Sequence, residues 1–351
     1  MIPNMNYIES VRQSCKTLYE KCPVKISESG IQQFLQGLDK LQYDELSIDT
    51  PMKMPLKFDS VEEEVNFIAT IDLLNFGSGY RRPLHEMIDR GAFDTIRFGV
   101  MSFHIGGTPM DAECYKNMSL FQVSEIFQIP LTRDVPHEKL DFVTVAEPTE
   151  LRPFAIGITS VLNSTGEFLV SKGYKNLAEF LMDKNYDGQR PTAHELVKRL
   201  VDALPGMRDD AQVYGDQTVY LFKKAQIMVY HLYLFFKDQL PECFDFEDIN
   251  NMTIFSDNVI PTILAHFKVL TLPEEWRRDI EENKDMGEER ATVLRAAAIV
   301  ACDDIVKAAR GGEGPVNNMT TGSLDVYLWR VAKEGELRKV PRFEYRDTVM
   351  F

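Results

Sequence analysis

The stretch VYLFKKAQIMVYHLYLFF (219–236) is apolar on every face of the helix its spacing predicts, yet carries adjacent lysines at Lys223 and Lys224. A helix without a polar face has to be enclosed by other elements, so the chain must build a core large enough to surround it. At 351 residues and 44% hydrophobic content it can do so, as one large domain over 1–351 or as two intimate helical subdomains. Lys223, Lys224 and His231 also break the run too often for a membrane span. Burying an ammonium without a partner is expensive, so one lysine is expected to face a carboxylate or an anionic ligand. The simpler reading is that both snorkel from one end of the helix. At helical spacing Lys223, Gln226 or Ile227, and Tyr230 share one face, and Lys224, His231 and Phe235 another.

The rest of the chain agrees with a helical frame. GIQQFLQGLDKL, SVEEEVNFIATIDLLNF, NLAEFLMDKN, TAHELVKRLVDAL and ERATVLRAAAIVACDDIVKAAR all place apolar residues at helical spacing, several after Ser, Thr or Asn caps. Period-two patterns are scarce, and KLDFVTVA (139–146) is the best strand. Short joints, among them DTPMKMPLKFDS (49–60) and NYDGQRPTAHE (185–195), separate these segments. The predicted class is mainly α, with at most a few short strands.

Charge and cysteine usage exclude several functions. With 39 basic against 54 acidic residues the net charge is −15, which disfavours stable nucleic-acid binding and anionic membranes. Five cysteines without a C-x-x-C pair suggest neither a disulfide framework nor zinc, and six histidines show no H-E-x-x-H spacing. No metal or cofactor is expected. MIPNMNYIESVRQSC has no apolar segment behind a basic start, so a cytoplasmic protein is expected.

A second buried charge stands out in MTIFSDNVIPTILAHF (252–267), where Asp257 interrupts an apolar run. SDNVIP looks like a helix start with Ser256 or Asp257 as N-cap and Pro261 in the first turn. Capping and chemistry are compatible there, because the helix dipole holds a carboxylate in its ionised form. NFGSGYRR (75–82) has the glycines of a phosphate turn but no G-x-x-x-x-G-K, and a helix C-terminal turn explains them as well. Ser78 does not stand in G-x-S-x-G.

In order along the chain, TIDLLNF (70–76), AECYKNMSLFQVSEIF (112–127), MRDDA (207–211), FKKAQI (222–227), MTIFSDNVIP (252–261) and SLDVYLW (323–329) resemble the landmarks of the queuosine salvage proteins. The resemblance implies a helical fold related to DNA glycosylases, acting on a free nucleotide rather than a duplex. It implies hydrolysis of queuosine 5′-phosphate at its N-glycosidic bond, releasing queuine for tRNA modification. By the same resemblance Asp257 is the catalytic acid, Lys223 matches the family's basic residue and is the second catalytic candidate, and Asp325 with Tyr327 matches the C-terminal acidic–aromatic pair; Phe76, Arg208, Phe255 and Asn258 complete the substrate-binding candidates. The chain departs from the family pattern at GSGYRR after LNF. It departs again at Asn258 and Val259, where an aromatic and a basic residue are usual. Two alternatives stand beside this reading: a glycosylase of altered specificity, and a non-catalytic nucleobase-binding helical protein.

The residue types suit such chemistry. Breaking an N-glycosidic bond builds oxocarbenium character at the sugar, which a fixed carboxylate such as Asp257 stabilises. A 7-deazaguanine lacks the usual purine N7, so the leaving base must be held through its other polar edges. Asp325 could accept its N–H donors while Tyr327 or Phe255 stacks, and Lys223 or Arg208 could hold the 5′-phosphate. On a helix Asp325 faces Leu328 or Trp329 rather than Tyr327, and a solvent-exposed acid is the plainer reading of it.

Overall fold

The computed structural model describes residues 6–48, 56–183 and 190–351, and the joints expected at 49–60 and 185–195 lie partly outside them. The described residues are mainly helical, with three two-stranded antiparallel sheets. No helix among them is long and apolar enough to cross a membrane. The chain divides into two compact units. The first comprises residues 1–58, 184–203 and 207–347, and the second 59–183, 204–206 and 348–351.

The first unit is organised around the helix Gly287–Arg310, which buries an alanine-rich surface. Against it pack the helices Tyr7–Tyr19, Val259–His266 and Thr321–Val331. Asn6 opens the Tyr7–Tyr19 helix, its side chain accepting from the Ile8 and Glu9 amides. GIQQFLQGLDKL, expected as one helix, is split into Glu28–Gln36 and Lys40–Leu46. Asp39 causes the break by accepting from the Leu41 and Gln42 amides, which starts a new helix.

The stretch 218–237 also differs from a single helix. Gln217–Tyr220 is a strand paired antiparallel with Asp210–Val213 across a turn at Tyr214 and Gly215, both at positive φ. The β-branched and aromatic residues Thr218, Val219 and Tyr220 suit that hairpin. The helix begins only at Lys223, after Phe222 takes a left-handed conformation at φ 50°, and runs to Phe236. Both lysines therefore lie in its first turn, and both are buried, at 4% and 1% exposure. Snorkelling does not describe them. The C-terminal half is less enclosed than expected, since Tyr230, His231, Tyr233, Leu234 and Phe235 are half-buried.

The second unit contains the helices Val61–Leu73, Ala92–Ile105 and Arg152–Lys172 and the hairpin Thr132–His137 with Leu140–Pro148, the latter at the strand expected from KLDFVTVA. Asn66 ties its neighbours together: Nδ2 donates to the Met110 carbonyl at 2.8 Å, and Oδ1 accepts from the Leu177 and Ala178 amides. Gly77 stands at φ 96°, and a Cβ there would come within 2.3 Å of the Phe154 ring. Turn geometry and close packing account for this glycine without a phosphate.

Candidate active site

Asp257 lies in a buried stretch that feeds the helix Val259–His266. Asn258 occupies the N-cap position and makes no capping bond with its side chain, so the cap falls one residue after Asp257 and two after Ser256, the two expected positions. The carboxylate of Asp257 nevertheless accepts from the Val259 amide at 2.6 Å, satisfying one of the unpaired N–H groups of the first turn. Asn258 is pinned from both sides: its Nδ2 donates to the Phe343 carbonyl at 3.1 Å, and its own carbonyl accepts from Thr262 Oγ1 at 2.7 Å. The Ser256 carbonyl accepts from Arg295 Nε at 2.8 Å. The Ser256 hydroxyl is buried with no hydrogen-bond partner among the described residues.

Lys223 enters from a different element but is fixed to the same framework. Asp209 receives both ends of the Arg295 guanidinium, Nη1 to Oδ1 at 3.0 Å and Nη2 to Oδ2 at 2.6 Å, in a pair buried on both sides. Asp209 Oδ2 also accepts from the Lys223 amide at 3.2 Å, and its carbonyl accepts from the Leu221 and Phe222 amides. Further along, Gln226 Nε2 donates to Thr253 Oγ1 at 2.8 Å and Gln226 Oε1 accepts from the Thr253 amide at 3.1 Å. The Lys223 helix and the Asp257 segment are thus locked in register.

Burial pushes the Lys223 ammonium below the usual lysine range. Asp257 opposes this most strongly, Arg295 adds to the depression, and Asp325 and Asp209 oppose it more weakly. Lys224 is pushed well below the usual range, first by burial and then by repulsion from Lys223, against the attraction of Asp209. The expectation that a lysine here meets carboxylate charge is met at Lys223.

Asp325, on the helix Thr321–Val331, is buried rather than solvent-exposed, because its Oδ1 accepts from the Phe255 amide at 2.9 Å. The Phe255 ring lies 5.4 Å from that of Tyr230, tilted by 52°. Tyr230 in turn rests on Gly322, where a Cβ would approach its ring to 2.6 Å. Tyr327 is paired with Tyr43 at 4.9 Å between ring centroids. Arg208 is exposed, beside Asp209; burial raises the Asp210 pKa, and the charge of Arg208 opposes that rise. Phe76 belongs to the second unit, where its ring meets Phe154 edge-on at 5.6 Å.

Five of the expected residues therefore share one framework: Asp257, Asn258, Lys223, Phe255 and Asp325. Sequence reasoning missed Asp209, Arg295 and the Ser256 hydroxyl. Arg295 had a signal, a lone cation inside the buried run ATVLRAAAIVA, and the logic applied to Lys223 would have found it. Among the described residues no group of three or more His, Cys, Asp or Glu is placed to hold a metal ion. What the framework offers is a carboxylate held in a largely dehydrated setting, where a fixed charge acts more strongly than in water.

Comparison with known proteins settles the lineage. The family described as "Queuosine salvage protein" matches residues 55–348. The chain belongs to the queuosine salvage protein family. The match encloses every landmark from TIDLLNF to SLDVYLW. Curated relatives that match this chain carry the name queuosine 5′-phosphate N-glycosylase/hydrolase. That of Mus musculus is 26% identical over 180 residues, 50% of this chain and 51% of its own length. That of Schizosaccharomyces pombe is 26% identical over 180 residues, 51% and 48% of the two chains. That of Sphaerobacter thermophilus is 29% identical over 163 residues, 45% and 46% of them. The chain spans about half the length of the curated relatives it matches.

Proposed function

We propose that the protein hydrolyses the N-glycosidic bond of queuosine 5′-phosphate, releasing queuine and ribose 5-phosphate. Family membership and the names of the relatives support this reading. The observation that carries it is Asp257, a buried carboxylate fixed at a helix entrance and acting on a buried lysine from another element.

In this scheme the bond between C1′ and the base nitrogen breaks with its electron pair leaving on the base. Asp257 stabilises the positive charge that grows at C1′. Water then adds to C1′, and a proton reaches the base nitrogen, so that the products are the neutral base and the sugar phosphate. Asp257 favours the charged form of Lys223 against its burial, while the exposed Arg208 is the better placed cation for a 5′-phosphate arriving from solvent. Asp325 and Phe255 shape the base side of the site. We assign no metal or redox cofactor, and the protein acts on a small molecule rather than on a nucleic-acid duplex or a membrane, in the cytoplasm.

The test is incubation of purified protein with queuosine 5′-phosphate, queuosine and guanosine 5′-monophosphate in excess chelator, followed by chromatography of the free bases. Queuine is expected from queuosine 5′-phosphate. Release of guanine in its place would favour a glycosylase of altered specificity, and release of no base from any of the three would remove the enzymatic reading.

A further inference from the structure

Asp257 and Lys223 come from separate segments of the chain, which the Gln226–Thr253 bonds join a few residues away from both. One sits before the Val259–His266 helix, the other at the start of the Lys223–Phe236 helix. Each is held at its backbone by the same buried pair. Arg295 Nε grips the carbonyl of the peptide that joins Ser256 to Asp257, at 2.8 Å. Its two terminal nitrogens take both oxygens of Asp209, and Asp209 Oδ2 holds the Lys223 amide. Arg295 itself projects from the helix Gly287–Arg310, the longest described helix of the unit.

We infer that Arg295 is a positioning residue, which with Asp209 sets the placement of Asp257 relative to Lys223. The inference rests on the reading of Asp257 given above. It explains why a guanidinium rather than an ammonium stands in this alanine-rich helix. Three directed donors on three nitrogens are used in one plane, and the three N–H groups of a lysine radiate from a single point and do not reproduce that fork. Two residues from separate elements are thereby referred to a third, and a shift of either backbone would have to break a charge-assisted hydrogen bond.

The test compares Arg295→Lys, Asp257→Asn and the double variant. Arg295→Lys keeps a cation beside Asp209 but releases the Ser256 carbonyl, so kcat should fall by about tenfold or more while KM changes by less than about threefold. Queuine titration should still give one site per chain, which separates lost chemistry from lost folded protein. In the Asp257→Asn background the same substitution should cost almost nothing further, because Arg295 acts through Asp257. The paired variant Arg295→Gln with Asp209→Asn, which leaves no unbalanced charge, is read the same way. Multiplicative losses in the double variant, with a normal loss for Asp257→Asn alone, would defeat the brace and leave the reading of Asp257 standing. Full turnover of Asp257→Asn alone would defeat that reading and this inference with it. If neither Arg295 variant folds, the pair is a determinant of the fold alone and the inference falls.

Discussion

Replacing Asp257 by asparagine separates the two jobs its carboxylate holds. Asparagine has an oxygen in the place of Oδ1, so the bond accepted from the Val259 amide at 2.6 Å can persist. Asparagine also caps helices about as well as aspartate, so the stability cost should stay below about 1 kcal/mol. In a protein of this size that is a fall in melting temperature of about 3 °C or less. The charge is lost in full. Oxocarbenium stabilisation by one fixed group is worth about 100-fold or more, or about 2.7 kcal/mol of barrier, and kcat should fall by that factor. Lys223 would also lose the carboxylate that most favours its protonated form and should deprotonate at lower pH. The assay is queuine release under substrate saturation, paired with thermal melting. Turnover close to wild type in a well-folded variant would mean that Asp257 is a helix cap and that the scheme is wrong.

Asp325→Ala leaves the buried Phe255 amide without its acceptor, a loss of about 1 to 3 kcal/mol. Melting and calorimetric queuine affinity should both drop, whereas Asp325→Asn should restore the melting temperature; unchanged affinity in folded Asp325→Ala would take this residue out of the site. Ser256→Ala removes a buried hydroxyl without a partner, and should leave the free protein equally stable or more stable by about 1 kcal/mol. If that hydroxyl serves the substrate, kcat/KM should fall in the same variant, and unchanged kinetics would show that it does not. Lys224 has a folded-state pKa well below 10.5, so the unfolded chain binds the extra proton between those two values and stability gained from this group rises with pH across that window. Lys224→Met should therefore be more stable than wild type at neutral pH, by a margin that shrinks as pH climbs; a pH-independent difference in chemical denaturation would contradict the assignment.

Helices such as those opened by Ser60 and Asn176 were legible because amphipathic spacing and caps are local properties, whereas the Tyr7–Tyr19 helix was not read from the sequence. Nor was the start of the Lys223–Phe236 helix. Thr218, Val219 and Tyr220 are as apolar as the helix that follows, and only pairing with Asp210–Val213 makes them a strand. Asp257 drew notice as an acid in an apolar run, and Lys223 by the cost of burying it. Asp325 could be read equally as a surface acid or as a pocket wall, because its partner is a backbone amide 70 positions away. Long-range hydrogen bonds of this kind leave no periodic trace. The family landmarks could order the residues along the chain, but Tyr327 pairing with Tyr43 depends on packing that no short motif encodes.

In the proposed scheme Asp257 faces the sugar carbon from which the base departs. A crystal structure of the Asp257→Asn variant with queuosine 5′-phosphate bound tests it most directly, since slow turnover should preserve the substrate. C1′ should lie within about 3.5 Å of the substituted side chain, close enough for a fixed group to act on the reacting atom. A substrate bound with its ribose turned away from that side chain, and its glycosidic bond elsewhere, would contradict it.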